Sequence, residues 1–272
     1  MKSLINIPEK MKALVLYGVG DLRVTEVDVP KLEKGTVLLK IKACGICSSD
    51  MPRCFVTGTY HFPTIPGHEF SGQIVAVGDD VDESLLGKRS CVFPMLPCKH
   101  CKACKMEEYA QCSGYSYFGS RQDGAWAEYL VVPVWNLVPF DDTLDYKTAA
   151  LCEPAAVSMH AVNIGDIKEG QNVVIIGTGT IGFMIALFAK ERTKTGKVVI
   201  AGRSKNKLEY AKKLGFDVVD TSVDDLPAQV KLSAQTKLSL PLSSQQALLA
   251  VSFSLATRQQ TLSCLRISIG QY

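Results

Sequence analysis

The chain has 272 residues, and 30 lysines and arginines against 27 aspartates and glutamates leave a net charge of +3. With 47% hydrophobic and 21% charged residues, it has the balance of a folded globular protein of about two domains. That balance excludes a chain that is mainly disordered or fibrous, and so small an excess of positive charge gives no basic footprint for nucleic acid.

The opening stretch, MKSLINIPEKMKALVLYG, is interrupted by Lys2, Glu9, Lys10 and Lys12 before any long apolar run. No secretory signal is expected, and the expected location is the cytoplasm. Short apolar or alternating runs follow at 13–17, 36–41, 72–77 and 129–132, punctuated by Gly and Pro. They predict an irregular, mostly antiparallel β domain over 1–145, carrying long functional loops. From 146 the pattern changes. Helical spacing over 145–163 precedes a continuous β-branched strand at 172–176, a helix at 181–192, a strand at 197–200, a helix at 205–214 and a strand at 217–219. This βαβαβ order makes the chain α/β, with a doubly wound parallel sheet begun over 146–230. The uncharged run 171–189 approaches the length of a membrane span. Its central glycines read instead as strand, turn and helix, so no membrane contact is expected. Residues 231–272 contain no Asp or Glu and one Gly. They do not supply the strands and turn glycines that should continue such a sheet, and a frameshift or truncation near Val230 is expected, leaving a sheet edge exposed.

Most of the ten cysteines lie between Cys44 and Cys112. In a reducing compartment they point to thiolates rather than disulfides. Cys98, Cys101, Cys104 and Cys112 follow C-x2-C-x2-C-x7-C. Two-residue spacings let a tight turn aim successive sulfurs at one point, and four thiolates saturate a tetrahedral Zn²⁺, so this site is structural. His100, inside the loop, is then expected to face solvent. Lys99, Lys102 and Lys105 read as a solvated face that offsets the negative charge of the centre.

A second constellation leaves a position open. Cys44-Gly-Ile-Cys-Ser-Ser-Asp50 precedes Pro66-Gly-His-Glu-Phe70, and one Cys, one His and one carboxylate make an open, catalytic zinc site. On residues alone Cys44 and Cys47 are equal candidates. Glu153, in Leu151-Cys-Glu-Pro154, is the candidate third ligand, although a carboxylate beside a first-turn proline is also an ordinary way to start a helix.

Gly177-Thr-Gly-Thr-Ile-Gly182 is G-x-G-x-x-G between a buried-type strand and an uncharged helix, the context of dinucleotide binding. Gly177 allows the tight turn, Gly179 admits the pyrophosphate, and Gly182 lets helix and strand pack closely. Thr180 and Ile181 open the helix whose amides would face the phosphates. The acidic residue expected at the end of the second strand is replaced by Ala201-Gly-Arg-Ser-Lys205. Arg203 suits the 2′-phosphate of NADP rather than the free ribose of NAD, or else is an exposed charge or stacks on adenine.

Taken together, these motifs resemble the zinc-dependent medium-chain alcohol and polyol dehydrogenases over about residues 11–225. Ser49-Asp-Met-Pro-Arg53, Gly67-His-Glu-Phe-Ser-Gly72, Leu96-Pro-Cys98 and Gly119-Ser-Arg-Gln-Asp-Gly124 are most similar to the branch acting on galactitol 1-phosphate. Sorbitol, butanediol and threonine dehydrogenases are neighbouring branches. The resemblance implies a GroES-like catalytic domain joined to a Rossmann domain, one catalytic and one structural zinc, and NAD or NADP. It implies Cys47, His68 and Glu153 as catalytic ligands, with Glu69 an alternating or water-linked one. Asp50 would orient His68, and Ser49 would pass the alcohol proton outward, although Pro52 stands where many relatives carry a relay His. The implied substrate is a small polyol or polyol phosphate, with Arg53 and Arg121 as candidates for its phosphate. A homo-oligomer is expected for the family. Residues 231–272 match none of the family's remaining sequence, so a zinc-binding remnant without turnover is the alternative.

Overall fold

Apolar residues on both sides of its strands bury the first sheet on both faces. In the computed structural model, which describes residues 2–224 together with the backbone of 248–252 and 267–270, the chain divides into two compact units, Met1–Glu153 and Pro154–Tyr272. The first contains β1 (Lys2–Ser3), β2 (Lys10–Gly18), β3 (Asp21–Asp28), β4 (Thr36–Cys44), α1 (Asp50–Pro52), β5 (Phe70–Val77), β6 (Arg89–Val92), β7 (Met95–Leu96), α2 (Lys102–Lys105), β8 (Ser116–Tyr117), β9 (Tyr129–Pro133), β10 (Leu137–Phe140) and α3 (Tyr146–Ala150). The main sheet runs β10-β6-β5-β4-β9, with β1 also on β5, and all its pairings are antiparallel. Val37, Leu39, Ile74, Leu130 and Val132 enter one core cluster, whereas Leu38, Val75 and Tyr129 enter another. Neighbours along a strand point to opposite faces, so both faces are covered. β2 with β3, and β7 with β8, form two small ribbons.

The helical pattern over 145–163 is two helices, α3 and α4 (Cys152–Ile164), broken at Leu151. Pro154 accounts for the break. It has no N–H to donate back to the preceding turn, so it is tolerated only in the first turn of a new helix. Asp145 caps α3, its carboxylate accepting from the Thr148 amide at 2.9 Å. The first unit runs through Glu153 rather than ending at 145, because α3 packs against the strands of the β sheet. Ser71 Oγ donates to the Tyr146 carbonyl at 2.6 Å, and the Arg89 guanidinium lies over the Phe140 and Tyr146 rings at 4.7 and 4.4 Å.

The second unit begins with α4 and continues with β11 (Val173–Ile176), α5 (Thr180–Thr193), β12 (Val198–Gly202), α6 (Lys205–Lys213), β13 (Asp217–Asp220), β14 (Leu248–Ser252) and β15 (Ile267–Gly270). The sheet order is β13-β12-β11-β14-β15. β11, β12, β13 and β14 are parallel, and β15 is antiparallel to β14. Val173, Ile175, Val198 and Ile200 pack with Ile185, Ala186 and Ala189 of α5, whereas Val174, Val199, Ala201 and Val219 form a separate cluster. The molecule is α/β, with a first unit built on an antiparallel sheet and a second built on a mostly parallel sheet with helices. Within residues 231–272, where no strand was expected, β14 pairs parallel with β11 and β15 antiparallel with β14. Val230 itself lies outside the described residues. No helix among them is long and apolar enough to cross a membrane.

Candidate metal centres and coenzyme turn

The four-cysteine loop is set between β7 and β8. The ligand atoms of Cys98, Cys101, Cys104 and Cys112 all lie within 4.8 Å of one another. The Cys98–Cys104 and Cys101–Cys112 sulfurs are 4.0 and 3.9 Å apart. A tetrahedron with Zn–S bonds of about 2.3 Å has edges of about 3.8 Å, so the donor set fits the ion. The Cys98 amide donates to Cys112 Sγ at 3.2 Å and the Cys101 amide to Cys98 Sγ at 3.4 Å. Backbone amides hold the Cys101 thiol down at about 5 and Cys112 below its ordinary range, whereas burial raises Cys104 to about 12. Amides aimed at sulfur favour the thiolates a cation would bind. Lys99 adopts a left-handed φ of 64° and places its ammonium 5.1 Å over the Trp135 ring. His100 is exposed, with Nδ1 2.7 Å from the Cys98 carbonyl oxygen.

The second cluster is assembled by strand register. Cys44, the last residue of β4, pairs with Phe70, the first of β5. The chain beyond Cys44 therefore runs beside the chain before Phe70, and the Gly45 amide donates to the Glu69 carbonyl at 2.7 Å. The donor atoms of Cys47, His68 and Glu69 fall within 4.8 Å of one another. Gly67 turns the chain into this position at φ +99°, with the Trp126 backbone and Cys44 Sγ so close that a side chain has no room. Cys44 stays outside the cluster.

Asp50 is 1% exposed and spans both loops. Its Oδ2 accepts from the Cys47 amide at 2.9 Å, and its Oδ1 accepts from Arg53 Nη1 at 2.7 Å. His68 Nδ1 is 3.5 Å from the same Oδ1 and buried without an aligned hydrogen bond, which leaves Nε2 for a metal. Ser49 Oγ donates to Cys47 Sγ at 3.3 Å. Burial raises the Cys47 thiol and the Glu69 carboxyl and lowers His68. A divalent cation among thiol, imidazole and carboxyl would offset these costs together, so the donor set fits zinc.

Glu153 lies next to the trio rather than within it. Its Oε1 accepts from the Tyr117 hydroxyl at 3.2 Å, and the Tyr117 ring meets His68 edge-on at 5.7 Å. Burial first, and Glu69 second, raise its carboxyl to about 7. Tyr117 was not legible as a site residue: an aromatic in a two-residue strand carries no motif. Arg121, the other basic candidate, stacks on Tyr60 and Tyr115 at 4.1 and 4.6 Å and donates to Tyr60 Oη at 3.2 Å.

In the second unit, Gly177 takes φ +136°, and the spaces where side chains of Gly177 and Gly179 would stand are empty. A side chain on Gly182 would strike the Gly177 carbonyl. Gly179 is the N-cap of α5 and makes no side-chain cap, so it leaves the first amides, at Thr180 and Ile181, uncapped by its own side chain. Gly202, at the end of β12, abuts Thr178, which puts exposed Arg203 one residue beyond the turn.

Residues 33–142 match the alcohol dehydrogenase GroES-like domain. The chain is 38% identical over 211 residues to galactitol 1-phosphate 5-dehydrogenase of Escherichia coli K12, covering 75% of this chain and 59% of that protein. The crystal structure of galactitol-1-phosphate dehydrogenase from Escherichia coli superposes with a TM-score of 0.77 at 35% identity, covering 84% of this chain and 66% of that one. The 2R,3R-butanediol dehydrogenase of Bacillus subtilis superposes with a TM-score of 0.73 at 30% identity, covering 82% and 67%. The chain belongs to the zinc-dependent medium-chain alcohol dehydrogenase family. It spans about three fifths of the length of the curated relatives it matches. Among other similar solved structures, a zinc-binding dehydrogenase from Sinorhizobium meliloti is bound to NADP and an alcohol dehydrogenase from Escherichia coli to NADH.

Proposed function

We propose that the protein oxidises a secondary alcohol of a small polyol or polyol phosphate, with hydride transfer to NAD or NADP. The observation that carries this is the convergence of Cys47, His68 and Glu69 within 4.8 Å in a chain that also presents an open glycine turn. Cys47, His68 and a carboxylate hold the catalytic zinc, with Glu69 and Glu153 able to exchange as the third ligand. The ion supplies Lewis acidity that lowers the pKa of a bound hydroxyl. Ser49, beside Cys47, accepts the released proton and passes it to water, since Pro52 offers no relay. Gly177, Gly179, Thr180, Ile181 and Gly182 hold the coenzyme diphosphate. Arg203 favours NADP, while relatives carry either coenzyme. The four-cysteine loop holds a structural zinc.

Likeness to the galactitol-phosphate enzyme supports a phosphorylated substrate, and Arg121, held by Tyr60 and Tyr115, is the candidate for that anion. The cytoplasm, where the thiols stay reduced, is the proposed location. The test is a panel of polyols and polyol phosphates with NAD and NADP, followed at 340 nm on purified protein whose zinc has been measured. Two zincs per chain with turnover supports the reading. Zinc without turnover on any member of the panel overturns it.

A further inference from the structure

Arg53 is set among the metal-site residues by a specific geometry. It lies three residues after Asp50, where i and i+3 side chains share a face, and its amide reaches back to the Ser49 carbonyl at 3.4 Å. Its Nη1 donates to Asp50 Oδ1 at 2.7 Å, and its side chain is only 21% exposed. The same Oδ1 faces His68 Nδ1 at 3.5 Å, while Oδ2 holds the Cys47 amide. One buried carboxylate therefore joins two ligand-bearing loops, and Arg53 is its charged partner.

The structure assigns Arg53 as a positioning residue: acting through Asp50, it sets the orientation of His68 and the Cys47 loop for the catalytic metal, and it does not recognise a substrate phosphate. This deepens the proposed function and rests on its reading of Cys47 and His68 as metal ligands. A carboxylate 1% exposed is costly to keep without a counter-charge. Without the guanidinium, Asp50 gains by turning toward water or toward another donor, and His68 loses the carboxylate that faces its Nδ1 at 3.5 Å. Partners behind a metal-bound histidine typically govern about 10- to 100-fold in metal affinity. A residue reserved for phosphate would leave that affinity untouched and change only the KM for phosphorylated substrates.

The test compares full-length wild type, R53Q, R53K, D50N and R53Q/D50N. Zinc affinity is read by chelator competition, and the cobalt-substituted proteins by their visible absorption. In R53Q, affinity at the mixed-ligand site should fall about 10- to 100-fold and its cobalt band should shift, while the four-thiolate site stays unchanged. R53K should recover part of the loss. R53Q/D50N should bind no more weakly than D50N alone, because Arg53 acts through Asp50; this pair also carries the test if R53Q alone fails to fold, since neutral Asn needs no counter-charge. Wild-type affinity in R53Q with a raised KM only for polyol phosphates overturns the inference, as does a double variant whose losses add. Uptake of a single ion by wild type, at the four-thiolate site, overturns the metal-site reading itself, and is distinguishable because it needs no variant.

Discussion

The two candidate metal sites of the first unit are built in opposite ways. The four-cysteine loop draws every donor from 15 consecutive residues, 98–112, and its geometry follows from turns and a four-residue helix. The Cys47 site draws its donors from two separate loops, around Cys47 and at His68 and Glu69, and exists because β4 and β5 pair in one register. A local site can be read from spacing. An assembled site can be read only as a set of candidates, and it is sensitive to anything that moves a strand or a buried charge.

Breaking each site should therefore have different consequences. The largest effect is expected for Cys104→Ser. Structural zinc is worth on the order of 10 kcal/mol in small peptides, and the variant should hold one zinc fewer and lose folded protein, read by metal content and thermal melting. Cys47→Ser should also hold one zinc fewer, yet keep most of its melting temperature while losing turnover; a collapse like that of Cys104→Ser would erase the contrast between the sites.

A smaller effect comes from pH. Glu153 is raised to about 7 in the folded protein, through burial and then Glu69, against about 4.3 in an unfolded chain. The metal-free folded state binds the extra proton between these values, so its stability is fullest below the unfolded value and falls as pH rises through about 7, by on the order of 3 kcal/mol. Melting of Cys47→Ser, which lacks the mixed-ligand zinc and keeps the four-thiolate one, at pH 5.5 and 8 reads the part of the loss above pH 5.5, and adding Glu153→Gln should flatten it. Gly67→Ala, which forces a side chain into a φ of +99° against the Trp126 backbone, should cost about 2 kcal/mol and loosen the mixed-ligand zinc, leaving the four-thiolate one in place. The smallest effect is expected for Arg203→Asp, a several-fold shift of coenzyme preference toward NAD, seen in the ratio of kcat/KM for the two coenzymes.

Much of this architecture was legible before any coordinates. The βαβαβ order, the glycine turn and the antiparallel strands appear near their expected positions, because strand periodicity and Gly punctuation are properties of short windows. The break at Leu151 and the membership of α3 in the first unit were not. The helical pattern runs through both, and only the packing of Tyr146 on Ser71 and Arg89 shows where the helix belongs. β14 was missed because Leu248-Leu-Ala-Val-Ser252 has no flanking turn glycine, and its place in the sheet depends on pairing with a strand some 75 residues earlier.

By itself the amino-acid sequence determined the donor chemistry: four thiolates at metal spacing, a thiol, an imidazole and carboxyls elsewhere, and a turn open to phosphate. Tertiary structure decided between equals. It brought Cys47 rather than Cys44 to His68, put Glu69 in the trio with Glu153 behind Tyr117, and placed Arg53 against Asp50. The reason is one of range. Spacing along a chain constrains residues within a turn or two of one another, whereas the direction of a side chain beyond a strand end depends on which distant strand lies alongside and in what register.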